Sequence, residues 1–164
     1  MDFTAEFFQH HVRYLGELID RAEHLDPQAL DERISVSVPS IDDSPTIRSL
    51  LSRLIGQLQM WGASMDGVGY DFDVEHDEPV TSMRERLERV GPAFTASVRD
   101  IGDRGAYEEM YLDTTCEQPF SFTAAGMLGH ILTYGSYRRT LVTAAIEAAS
   151  NEGLADDPLE WFAP

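Results

Sequence analysis

Lysine is missing from this 164-residue chain: all 12 of its basic residues are arginine, set against 29 acidic ones for a net charge of −17. A surface of that sign repels phosphate backbones and anionic lipid, so neither nucleic acid nor a membrane is expected as a partner. The acidity itself is accounted for by solubility, or by an Arg-biased or salt-adapted source. Cysteine is almost as scarce. The single Cys116 excludes an internal disulfide and, with no second thiolate, argues against a thiolate zinc site. It lies between Thr115 and Glu117, where a neighbouring carboxylate disfavours the reactive thiolate. No run of 18 apolar residues occurs, and the opening Met1-Asp2-Phe3-Thr4-Ala5-Glu6 is acidic where a secretory signal would be basic. A soluble, cytoplasmic protein is the expectation. Also lacking are a P-loop, a G-x-G-x-x-G after a strand, H-E-x-x-H and G-x-S-x-G, together with internal repeats and low-complexity tracts. The length suits one domain over residues 1–164.

What is present is helical periodicity. Phe7, Phe8, Val12, Leu15, Leu18, Ile19, Ala22 and Leu25 keep three- and four-residue spacing from Phe3 to about Leu25, where Asp26-Pro27 closes the run. His10 and His11 lie about 100° apart on this helix, so at most one is expected to face a core, and surface positions are the default. Residues 26–43 read as a connection, in which Ile34 to Val38 alternates like a strand that has no evident partner. Ser44-Pro45 suits a helix start, and Ile47, Leu50, Leu51, Leu54, Leu58, Trp61 and Met65 form the next apolar face, with Arg53 and Gln57 on its flank. Gly62 to Pro79 reads as a loop, in which His76 sits among carboxylates as a solvated residue. Ser82-Met83-Arg84-Glu85 reads as a capping box for a third helix, which Gly91-Pro92 interrupts and kinks. A turn and a brief extended stretch at Met110-Tyr111-Leu112 lead to Thr123, an N-cap flanked by a hydrophobic staple of Phe122 and Met127, and Gly153 closes the last helix. The tail aromatics Trp161 and Phe162 are expected to fold back on the domain. Four helical runs with unequal connections make an all-α four-helix bundle.

The last helix carries the oddity. Along Thr123 to Ser150, Met127, Ile131, Leu132, Val142, Ala145, Ile146 and Ala149 draw one apolar stripe, yet His130, Tyr134 and Arg138 stand four apart along its edge. Arg138 falls between Met127 and Val142, within the stripe. A guanidinium aimed at a core cannot shed its charge and needs a partner.

Two stretches resemble the DinB/YfiT-like bundle superfamily, which includes thiol-dependent S-transferases and the N-terminal domain of mycothiol-dependent maleylpyruvate isomerase. Thr46-Ile47-Arg48-Ser49-Leu50-Leu51-Ser52-Arg53-Leu54-Ile55-Gly56-Gln57 through Trp61 looks like the family's second helix. His130-Ile131-Leu132-Thr133-Tyr134-Gly135-Ser136-Tyr137-Arg138-Arg139 looks like its H-x-x-N-H-x-x-x-H-R signature. With helix one and the Pro158-Leu159-Glu160-Trp161 tail, the similarity spans nearly the whole chain. The resemblance implies three histidine ligands for a divalent metal, one on the second helix and two on the fourth. Here those positions hold Arg53, Tyr134 and Arg138, while His130 and Arg139 match family residues that are not ligands. A cation does not ligate a cation, so the implied metal site is expected to be lost.

Three readings follow. In the first, Arg53, Gln57, His130, Tyr134, Tyr137 and Arg138 line a metal-free pocket for a small anion or a low-molecular-weight thiol conjugate, because facing guanidinium groups favour carboxylate or phosphate. In the second, Arg53 and Arg138 pair internally with carboxylates such as Glu6, Glu17 or Asp20, and the protein is a structural or dimerising, non-catalytic bundle. In the third, a divalent metal such as zinc or nickel is relocated to His130 with His10 or His11. The sequence leaves enzymatic activity open. The resemblance implies a thiol-dependent transferase, a possible thiol cosubstrate and a homodimer.

Overall fold

The computed structural model describes residues 3–113 and 118–154; Cys116 and the tail aromatics Trp161 and Phe162 lie outside the described residues. The chain is mostly helical, with little strand. Its elements in order are α1 (Phe3–Ala22), α2 (Pro27–Asp31), α3 (Ile47–Met65), a 3₁₀ turn (Phe72–Glu75), α4 (Val80–Arg104), β1 (Met110–Asp113), β2 (Phe120–Thr123) and α5 (Ala124–Ser150).

Local chemistry sets the boundaries, several of them away from the sequence expectation. Asp26-Pro27 does more than end α1: Asp26 accepts a bond from the Gln28 N–H, and Pro27 at the first position opens the short α2. The cap of α3 is Thr46, two residues after Ser44, because Thr46 and Ser49 bond each other's backbone N–H reciprocally at 2.9 and 3.1 Å. Ser44 instead takes a left-handed φ of 52°. Helix α3 runs on to Met65, through the Gly62 to Ser64 stretch read as loop. Helix α4 begins at Val80, so Ser82 lies inside its first turn and no side chain caps it; burying Val80 favours the earlier start. Pro92 sits within α4, which is helical through Gly91 and Pro92 from Val80 to Arg104. Thr123 caps α5 as expected, accepting the Gly126 N–H at 3.0 Å. Asn151, in the left-handed region, ends α5 by donating to Glu147 O, two residues before Gly153.

Met110 to Leu112 is extended as read, and its partner is the stretch preceding Thr123. The two strands pair antiparallel, Met110 opposite Thr123 and Asp113 opposite Phe120, placing Tyr111 and Phe122 on one face. Ile34 to Val38 forms no strand; its backbone is tied down through Ile34 N–H to Pro45 O and Val38 N–H to the Tyr137 hydroxyl.

Helix α1 packs mainly on α4, and α3 packs on both α4 and α5. Between them lie Phe8, Leu15, Leu18, Ile19, Leu50, Leu51, Leu54, Leu58 and Met127, all essentially free of solvent. Each such side chain contributes about 1.5–3 kcal/mol through burial, so these four long helices form one cohesive core. Among the described residues no helix is long and apolar enough to cross a membrane.

A candidate site between α3 and α5

Six residues on two helices face each other across the α3–α5 seam. From α3 come Arg53, Gln57 and Trp61, four apart; from α5 come His130, Tyr134 and Arg138, also four apart. The column read from the sequence forms. His130 stacks on Tyr134 with centroids 4.3 Å apart and planes inclined by 21°, and the Arg138 guanidinium lies 5.7 Å from the Tyr134 centroid. Trp61 meets His130 edge-on at 5.4 Å and Phe122 of β2 at 4.9 Å. The hairpin thereby closes one end of the seam.

Neither arginine is neutralised from α1, as Glu6, Glu17 or Asp20 would have done. The carboxylates arrive from the irregular connections that pass over the seam. Asp42, between α2 and α3, receives Arg138 Nε at 2.9 and 3.1 Å. Glu75, in the 3₁₀ turn, receives Arg53 Nη1 at 2.6 Å and the Tyr70 hydroxyl at 2.7 Å. Asp20 instead pairs with Arg84 on α4. The Glu75 carboxylate lies directly over Gly56, where an added Cβ would collide with it. A glycine in mid-helix here serves close approach of a charged group.

The two arginines are satisfied to different degrees. Arg53 also points Nη2 at the Met60 sulfur, 3.7 Å away, and spreads over Phe72 at 5.4 Å. Arg138 is only 6 % exposed, yet it bonds through Nε alone, and its two Nη groups donate to no described residue. Tyr137 does not join the column; its hydroxyl accepts the Val38 N–H at 2.5 Å and pins the connection to α5. His130, on the exposed rim, has its pKa lowered by partial burial and by the nearby charges of Arg138 and Arg53, with Asp113 opposing them. Both cations are therefore felt at one place in an otherwise strongly acidic protein.

Deeper in, sequence reasoning missed a polar group. His10 and His11 are both buried, contrary to the surface expectation, because α1 is covered by neighbours around more than the 100° that separates them. His10 accepts from Arg13 at 2.8 Å and stacks on Tyr14. His11 sits against Gly135 of α5: a Cβ there would lie 3.2 Å from the His11 ring and 3.7 Å from Gln57 Oε1. Arg139 Nη1 lies 3.3 Å from His11 Nδ1; an arginine only donates, so Nδ1 accepts and the ring proton sits on Nε2. Burial first, then Arg139 and His10, push the His11 pKa down to about 3, keeping the ring neutral. His11 Nε2, both amide atoms of Gln57 and Trp61 Nε1 are all buried and have no partner among the described residues. The available signal was Gly135, a glycine on the packed side of a helix beside a flanking polar residue.

The positions that the family resemblance assigns to metal ligands do not fit a divalent ion. Two are guanidinium groups already holding carboxylates, and the third is the Tyr134 phenol stacked between His130 and Arg138. Among the described residues no group of three or more His, Cys, Asp or Glu side chains is placed to hold a metal. The histidines considered for a relocated ion are engaged otherwise, His11 with a cation at 3.3 Å and His130 in the aromatic stack. In comparisons with known proteins, no family, no curated protein and no solved structure matches this chain.

Proposed function

We propose that the chain is a DinB/YfiT-like four-helix bundle that binds a small anionic molecule, or the carboxylate of a low-molecular-weight thiol conjugate, at the α3–α5 seam without a metal. One observation carries this reading: Arg138 is nine-tenths buried and, among the described residues, bonds only through Nε, leaving both Nη groups for a planar anion, which a guanidinium holds in two parallel bonds. Arg53 adds a second positive charge, as the shared lowering of the His130 pKa reflects. Asp42 and Glu75 hold the two cations from the connections. The test is thermal unfolding and calorimetry with acetate, phosphate and a thiol carboxylate at millimolar concentration. Ligand at a hundredfold excess over Kd adds about 2.7 kcal/mol of stability. Arg138→Gln abolishes this gain; no shift with any of the three probes in the unaltered protein overturns the reading.

A second reading has its own support. Glu75 is so closely fitted over Gly56, with Arg53 and Tyr70 both bonded to it, that the pair resembles permanent architecture. On that view the protein is a structural or dimerising bundle. Gly56→Ala separates the two. Ejecting Glu75 destabilises the fold by about 1–3 kcal/mol under either reading, but it strengthens anion binding at Arg53 only under the first.

A further inference from the structure

Resting on the seam reading above, we infer that the preferred ligand carries an amide next to its anionic group, and that Gln57 and His11 recognise this amide at the inner end of the site. The outer end offers charge; the inner end offers uncharged hydrogen-bonding groups. Gln57 is 1 % and His11 3 % exposed, and among the described residues Gln57 Oε1, Gln57 Nε2 and His11 Nε2 find no partner. Leaving such groups unpaired costs about 1–3 kcal/mol each, so their retention in a packed interior calls for a function.

Their chemistry specifies what they take. With Nδ1 accepting from Arg139, His11 presents Nε2–H as a donor, while Gln57 presents an acceptor and a donor together. Both groups converge on Gly135, the one position on that stretch of α5 whose missing side chain admits the ring and the amide together. A hydrocarbon satisfies none of them. A ketone accepts but leaves Gln57 Oε1 bare. A secondary amide accepts on one edge from His11 Nε2–H and donates on the other to Gln57 Oε1. With Arg138 holding a carboxylate farther out along the seam, the class is an N-acyl amino acid or the end of a short peptide.

Three carboxylates of matched size test this: N-acetylglycine, 4-oxopentanoate, which replaces the amide N–H with CH₂, and pentanoate, which lacks both polar groups. The intact protein binds N-acetylglycine about tenfold more tightly than 4-oxopentanoate, the effect of one hydrogen bond to an otherwise unpaired buried group, and pentanoate is weakest. Gln57→Leu removes the preference for N-acetylglycine over 4-oxopentanoate. Equal binding of all three by the unaltered protein overturns the inference and leaves the anion site standing. Retention of the preference in Gln57→Leu overturns it as well. Binding of none of the three overturns both the inference and the reading on which it rests.

Discussion

The α3–α4 and α3–α5 seams each bury an arginine, and they treat it in opposite ways. On the α4 side, Arg86 makes two bonds to Glu78, at 2.9 and 2.6 Å, and two to Ser52, while its remaining nitrogen reaches Gln59 and Tyr70. Ser52 returns a bond of 2.5 Å to Glu78, and Arg48 bonds the Glu78 carbonyl. Donors and acceptors are matched almost completely. On the α5 side, Arg138 has one carboxylate on one nitrogen, and Gln57, His11 and Trp61 keep unmatched atoms. A saturated ion pair fixes structure; an unsaturated polar seam retains bonding capacity. Helical spacing marked Arg138 and passed over Arg86, and it says nothing of how completely either guanidinium is paired.

The contrast is broken most severely by Glu78→Gln, which strands the buried Arg86 charge. The expected loss is about 3–5 kcal/mol in urea unfolding, and a loss below 1 kcal/mol would show that the α4 network is not the rigid half. Next comes pH. The folded pKa of His11 lies near 3, below its ordinary 6.5, so the unfolded chain takes up a proton that the native state refuses. Its contribution is complete above pH 6.5 and declines as pH falls toward 3, at roughly 1.4 kcal/mol per unit. About 2 kcal/mol should be gone by pH 5, and His11→Gln should flatten that part of the stability profile; an unchanged slope would place His11 in water. The smallest effect sharpens the comparison. Gln57→Leu removes two unmatched atoms at similar volume, so stability should stay level or rise by about 1 kcal/mol. A loss as large as that of Glu78→Gln would mean that Gln57 belongs to the structural half after all.

Much of this was legible in the residues. The helical runs followed from apolar spacing, and the stacking of His130, Tyr134 and Arg138 followed from four-residue spacing, because both are properties of one continuous helix. Helix ends were less legible. Ser44, Ser82 and Gly153 are all residues that favour caps, but Thr46, Pro79 and Asn151 took those positions, since a cap is decided by which nearby residue lets the next apolar side chain reach the core. The carboxylates facing the arginines were not legible at all. Asp42 and Glu75 lie in connections without periodicity, where no spacing rule indicates which of 29 acids will arrive.

The sequence by itself determined the helices, the polar column on α5 and the acidic exterior, because backbone period and composition are local or summed properties of the chain. Only the tertiary structure decided that Glu75 would settle over Gly56, that both His10 and His11 would be buried, and that Gln57 would face His11 across Gly135. Charge and hydrogen-bond satisfaction are pairwise quantities that act over a few ångströms. They take values only when segments far apart in the chain are brought together.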